Sequence, residues 1–338
     1  MDWKLVDDPA NDANRVAGNG GDLVKHTVYL SVLRFLLGQE PWHSKLIVRE
    51  CHAGQGTYRI PDGDPRCRLL SCLHATPPGS SPILLHDAQE SILGTLGCWP
   101  VGAEGAHYYA GSPLINAHTL AESGGGSHKL ELYELLPDSR QILGSALTAG
   151  LPEAHQFWSV LHKEDQSENF DGEAHIACKI KDWGRQDLVL LDPFAMWRQP
   201  SDQAKRDVYG AIIDGLVSRG PDALPLVLFW TWGNNFPVAD ADLNGTASPV
   251  RNGYAELRAK LHKGGFDFVL VKWRWGLQFA MWVVAPAGRL TALRDAIDCH
   301  CRLLSEHLIQ HGCSQSLSHP HVAVTIDNRA RCERPRSR

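Results

Sequence analysis

A carboxylate at the tip of one apolar strand and a glycine-punctuated turn at the tip of another are the groups in this chain best placed to do chemistry. The run Asp187-Leu-Val-Leu-Leu191 leads into Asp192-Pro193, and near-continuous apolar segments of this kind read as parallel strands buried on both faces. Open α/β sheets keep their reactive groups beyond the carboxyl ends of such strands. Asp192 is therefore the first candidate for a catalytic or substrate-orienting carboxylate; the plain alternative is an Asp-Pro that only opens a turn. The second strand, Leu46-Ile-Val48, runs into Cys51-His-Ala-Gly-Gln-Gly-Thr-Tyr58. Gly54 and Gly56 lack the Cβ atoms that would hold a ligand away from the backbone. The spacing is not the G-x-G-x-x-G dinucleotide fingerprint, because Tyr58 and Arg59 fall where its third glycine would be needed. An A-G-x-G turn suits S-adenosylmethionine better than NAD.

Strands and helices in alternation must hold these tips together, which is the pattern of an α/β sheet. Apolar runs at 130–133, 158–161, 224–230 and 266–272 read as further strands, and stretches at 24–37, 201–220, 254–262 and 290–311 as helices. Between the first strand and residue 109 several Gly/Pro turns interrupt the pattern, leaving short helices at 67–72 and 84–96. The expected organisation is a flexible segment 1–16, one domain over 17–325 with an insertion at about 60–108, and a basic tail 326–338. No internal repeat interrupts it.

At 338 residues and 43% hydrophobic composition the chain has enough apolar material for a large core. Its 33 Lys plus Arg against 38 Asp plus Glu leave a net charge of −5, unlike a dedicated nucleic-acid binder. An RNA partner would need a local patch: Arg198, Lys205 and Arg206, or Lys272 and Arg274 interleaved with Trp273 and Trp275, or the tail from Arg329 to Arg338. Each also reads as a solvated face. With no signal peptide and no apolar span of membrane length, the expectation is a cytoplasmic protein, off the membrane, whose nine cysteines are reduced. Cys299, Cys301, His307, His311 and Cys313 have metal-ligand chemistry. Their spacing matches no zinc-finger or paired-CxxC pattern, so no metal is expected.

Five blocks in order resemble the ribosomal large-subunit RNA methyltransferase J family, which methylates the N6 of an adenine in 23S rRNA from S-adenosylmethionine. They are Ala17-Gly-Asn-Gly-Gly-Asp-Leu-Val-Lys-His-Thr27, Cys51 to Tyr58, Tyr108-Tyr-Ala-Gly-Ser-Pro-Leu-Ile115, Leu130-Glu-Leu-Tyr-Glu-Leu-Leu-Pro137 and Leu188-Val-Leu-Leu-Asp-Pro193, with a weaker echo at Phe279-Ala-Met-Trp-Val-Val-Ala-Pro286. The resemblance implies a Rossmann-like class I methyltransferase fold, a mostly parallel sheet with a small helical insertion, and S-adenosylmethionine as cofactor. It implies cofactor contacts at Lys25, His26, His52, Ser112, Glu134 and Asp192, beside Gly54 and Gly56, with Glu134 receiving the ribose hydroxyls. The family's Asp-Gly contact to the adenine side falls on Asp171-Gly172 by spacing, or on Asp165 by the path of the preceding strand.

The substrate motif departs from the family. Where N6-adenine enzymes carry Asp or Asn, two prolines and an aromatic ring, this chain reads Asp192-Pro-Phe-Ala195. The resemblance gives Asp192 and the Pro193 carbonyl the amine hydrogens and leaves the stacking face to Phe194 or Trp197. A family tyrosine that contacts RNA is Asn11 here, with Trp3 the nearest upstream aromatic. These departures keep two alternatives open: a methyltransferase acting on a peptide or small molecule, and a catalytically inactive cofactor-binding homologue.

Overall fold

A computed structural model describes residues 17–75, 82–99, 107–124, 127–134, 136–151, 158–161, 172–192, 203–220, 226–232, 258–275, 277–285, 287–313 and 321–327. The strands are β1 (Ile47–Cys51), β2 (Thr57–Ile60), β3 (His107–Ala110), β4 (Lys129–Tyr133), β5 (Trp158–Leu161), β6 (Asp187–Leu191), β7 (Leu226–Trp232), β8 (Phe268–Trp275), β9 (Leu277–Val284) and β10 (His321–Asp327). Eight of them form one sheet in the order β10-β8-β9-β7-β6-β1-β4-β5. β5, β4, β1, β6 and β7 pair in parallel, while β9 runs against both β7 and β8, and β10 against β8. Six of the eight strands thus share one direction, an α/β sheet of the Rossmann-like type.

Alternation along the central strands divides the core between the two faces. Val48, Leu130, Leu132, Leu188 and Leu190 pack on one face, and Cys51, Tyr133, Val189 and Leu191 on the other. Every residue of β6 is buried, as its unbroken apolar run requires. Each such leucine contributes roughly 1.5–3 kcal/mol of burial free energy. The first face is covered by α1 (Gly20–Leu37), α2 (Pro65–His74), α3 (Leu84–Thr95), α4 (Ser112–Glu122), α5 (Pro137–Gly150) and α8 (Leu290–Leu308), and the second by α6 (Gly172–Lys179) and α7 (Gln203–Arg219).

The helix that approaches the chemistry most closely, α1, starts four residues earlier than its apolar pattern suggests. Asn19 caps it, its side chain accepting from the amides of Gly21 and Asp22 at 2.7 and 3.2 Å. Nearly every later residue of α1 is buried between the sheet and α8, so no clean amphipathic stripe marks its start. In the 60–108 region α2 begins on an Asp64 cap followed by Pro65 and extends the expected helix at both ends, while α3 matches the expected 84–96 to within one residue.

Three expectations need correction. β2 and β3, each four residues long, pair as a separate two-stranded sheet that no periodicity in the sequence announces. β10 was not expected, and it extends the sheet past residue 325. Asp327, its last residue, is buried and takes both arms of the Arg258 guanidinium at 2.6 Å, so 326–327 belong to the sheet rather than to a tail. The cysteines are not all reduced: Cys72 of α2 is disulfide-bonded to Cys313, 241 residues away, a separation that leaves no local spacing signal. Among the described residues no helix is long and apolar enough to cross a membrane.

Candidate functional site

β1, β4 and β6 lie side by side in register, with Cys51 level with Tyr133 on one side and Leu191 on the other. The residue that follows each strand therefore reaches the same edge, and these three are His52, Glu134 and Asp192. The sheet grows outward from β1 through β4 and β5 on one side, and through β6 and β7 on the other. The edge thus lies at the topological switch point, where open α/β sheets bind ligands.

On the α1 side, Lys25 places its ammonium 2.6 Å from Asp192 Oδ2 and 2.9 Å from Asp22 Oδ1. Burial opposes that charge, but the two carboxylates outweigh it and hold Lys25 above its usual range. Glu50, one residue before the end of β1, has no exposed surface. The Ser112 hydroxyl donates to one of its carboxyl oxygens and Asn116 Nδ2 to the other at 2.9 Å. Four residues apart in α4, these two donors share a helix face. Burial lifts Glu50 to about 8 despite the opposing effects of Ser112 and Lys25, so at neutral pH it is chiefly an uncharged acid. His26, beside Lys25, has Nδ1 2.6 Å from the Tyr109 hydroxyl. Burial, reinforced by Lys25, keeps the imidazole well below its usual range and neutral.

On the β4 side, Glu134 accepts from the Gly54 amide at 2.6 Å with one oxygen and from the Leu136 amide at 2.9 Å with the other. Each oxygen keeps a lone-pair site for a further donor. Gly54 and Gly56 have φ of 66° and 77°, in the left-handed region that glycine enters without strain. A Cβ on Gly54 would run into the Tyr58 hydroxyl, and one on Gly56 would come 2.8 Å from Leu143 Cδ1. Backbone conformation and internal neighbours thus demand glycine at both positions. Burial also pushes the Tyr58 phenol above its usual range, and it stands within electrostatic reach of Lys25, Asp22, Glu134 and Glu50. Tyr58 thereby joins the α1 and β4 sides.

His52 turns toward α6 and α7. Its Nε2 is 3.0 Å from Glu173 Oε1, which also accepts from the Tyr209 hydroxyl at 2.9 Å. Burial disfavours its charge, but Cys51 and Glu173 outweigh that and hold the imidazole well above its usual range, so it is charged at neutral pH. Among the described residues it is the one non-glycine with positive φ, 65°. That conformation costs about 1–3 kcal/mol and is concentrated at functional sites.

The edge therefore brings together Lys25, Ser112 and Asp192 around Glu50, and Gly54 with Glu134. It separates the two histidines: His26 is engaged by Tyr109 in the core of the α1 face, and His52 by Glu173, which Tyr209 also bonds, on the opposite face. Gly172 opens α6 so close to the tips of β4 and β1 that a Cβ there would lie 3.0 Å from Tyr133 Cβ and 3.2 Å from Cys51 Sγ. Asp165, Asp171, Pro193, Phe194, Trp197, Arg198, Asn11, Trp3 and 328–338 lie outside the described residues, as do the side chains of Lys205, Arg206, Arg274 and Trp275. Trp273 is buried in the core at 2% exposure, which removes it from the expected stacking platform. Among the described residues no group of three or more His, Cys, Asp or Glu is arranged to hold a metal ion. Sequence reasoning missed Glu50, Asp22, Tyr109, Asn116 and Glu173. The available signal for Glu50 was a charged pair, Arg49-Glu50, set within a strand that is otherwise apolar.

No family model matches this sequence, and no curated protein matches it either. Among solved structures, protein LPL1258 from Legionella pneumophila str. Philadelphia 1, family-model DUF519, is similar with a TM-score of 0.59 and 16% identity. The match covers 92% of this chain and 98% of that one, and at this identity it shows a shared fold.

Proposed function

We propose that this chain is an S-adenosylmethionine-dependent methyltransferase of the ribosomal large-subunit RNA methyltransferase J type, acting on an exocyclic amine of an RNA base, with adenine N6 of 23S rRNA the first candidate. The observation that carries the reading is the level placement of His52, Glu134 and Asp192 at the switch point of the sheet. The block resemblance in the sequence supports it independently. On this reading residues 17–327 form one catalytic domain with an insertion at about 60–108.

The residues at the edge suit the cofactor. Glu134 keeps acceptor capacity on both oxygens for a pair of ribose hydroxyls. Among the described residues His52 Nδ1 is buried without a hydrogen-bond partner, which suits it to a ligand group. Bound there, the cofactor supplies a methyl group already activated by its sulfonium, so the protein's share of catalysis is chiefly orientation. Lys25 fixes the Asp192 carboxylate by a buried ion pair while one oxygen stays open to a second donor. Asp192 and the Pro193 carbonyl take the two amine hydrogens, turn the nitrogen lone pair toward the methyl, and accept or relay the proton released as the new N–C bond forms. Phe194 or Trp197 supplies the face on which the base stacks.

The test is incubation with methyl-labelled S-adenosylmethionine and total RNA from cells lacking this modification, followed by parallel digestion with nuclease and protease. Label released by nuclease is the expected result. Label released only by protease would replace the RNA substrate with a peptide.

A further inference from the structure

We propose that Glu50 is a positioning residue of the methyl-transfer site: as an uncharged acid it ties the tip of β1 to the first turn of α4 and fixes Ser112 against the glycine turn. The proposal rests on the methyltransferase reading and deepens it. Three observations carry it. Glu50 is wholly buried, and both groups that bond its oxygens, the Ser112 hydroxyl and the Asn116 amide, are neutral. An isolated carboxylate in such a place is disfavoured, and the group takes up a proton instead. The second observation is the Tyr29 phenol, buried and held neutral, which faces both Glu50 and the Asn116 side chain. The third is that the Gly111 amide donates to the Gly56 carbonyl at 2.7 Å. The start of α4 is thus held twice, by its backbone to the glycine turn and by its side chains to Glu50.

Several charged and titratable groups surround this acid: Lys25 and Tyr29 from α1, Tyr58 from β2 and Asp192 beyond β6. Ionising Glu50 would bury a second negative charge beside Asp192, and the water drawn in to solvate it would part β1 from α4 and carry Ser112 off the glycine turn. Burial places that ionisation at about 8, so the site should hold its geometry at neutral pH and lose it in alkaline solution.

Glu50→Gln keeps the shape and fixes the neutral state. The experiment is calorimetric titration of the full-length protein and of Glu50→Gln with S-adenosylmethionine from pH 6.5 to 9.5. Thermal unfolding of both cofactor-free proteins across the same range accompanies it. Ionisation of the cofactor's own α-amino group acts on both proteins alike, so the ratio of their affinities isolates Glu50. The expected result is near-equal binding at pH 6.5, with the unsubstituted protein weakening relative to Glu50→Gln by up to roughly thirtyfold at pH 9.5, the factor for 1.5 pH units above a value of about 8. Parallel pH profiles would overturn the proposal, as would loss of binding in Glu50→Gln at pH 6.5, which would mean that the site needs the charge. Absence of cofactor binding in the unsubstituted protein at every pH would instead overturn the methyltransferase reading, and the proposal with it. The unfolding data would then still report whether the acid is neutral.

Discussion

Arg49 and Glu50 are neighbours in β1, similarly buried, and face opposite sides of the sheet, yet their charges are handled in contrasting ways. Arg49 has ionic partners on both adjoining strands, with Nε 2.9 Å from Glu131 and Nη1 paired with Asp187, and its guanidinium lies 4.3 Å over the Trp183 ring. It is a closed ion cluster that pins β1 between β4 and β6. Glu50 is met by two neutral donors and escapes its charge by protonation. The first arrangement serves cohesion between the strands. The second leaves a titratable group behind the Lys25–Asp192 pair at the sheet's carboxyl edge, where its protonation state can be read by the chemistry.

The largest effect should come from breaking the closed cluster. Arg49→Ala leaves two carboxylates facing each other in the interior, and removing one partner of a buried ion pair costs about 3–5 kcal/mol. Urea unfolding should show that loss at neutral pH, and a loss under 1 kcal/mol would mean that the cluster is solvated and the contrast false. Next comes Gly54→Ala, expected to cost about 1–3 kcal/mol because it places a Cβ at φ 66° and against the Tyr58 hydroxyl. It should weaken S-adenosylmethionine binding more than Arg49→Ala does among molecules that remain folded, as read by calorimetry.

Glu50→Gln sharpens the comparison through pH. Glu50 titrates at about 8 in the folded chain against an ordinary value of 4.5. Its contribution to stability is therefore fully present below pH 4.5 and is lost as pH rises through 8. The unsubstituted protein should lose stability relative to Glu50→Gln across that window, by at most about 1.4 kcal/mol per pH unit, in thermal or urea melts. The smallest effect is expected for Tyr109→Phe, which removes one hydrogen bond to His26 and should cost about 0.5–1.5 kcal/mol.

What the sequence made legible was the part written in local pattern. The unbroken apolar run of β6 and the glycine turn after β1 mark two strand tips, and the parallel register then sets Asp192, Glu134 and His52 level at one edge. What it hid depends on contacts between distant residues. Lys25 pairs with Asp192 across 167 positions, and Ser112 reaches Glu50 across 62. No periodicity records such pairs, so the ion pairs of Lys25 with Asp192 and Asp22 were not legible. His26 and His52 looked equivalent in the sequence, but the chain enters α1 and leaves β1 on opposite faces, and each finds a different partner. Short β2 and β3, and β10 near the end of the described chain, escaped because four to seven residues carry too little pattern to separate a strand from a loop.

The central claim is that Asp192 orients an amine for methyl transfer without building the cofactor pocket. The most direct measurement compares the unsubstituted protein with Asp192→Ala in labelled methyl transfer to RNA, read as methylated nucleosides by mass analysis, with S-adenosylmethionine affinity measured by calorimetry on the same samples. The account predicts a fall in transfer of about 10²–10⁴-fold with affinity changed by no more than a few-fold. Undiminished transfer by Asp192→Ala, or transfer and affinity lost together, would contradict it.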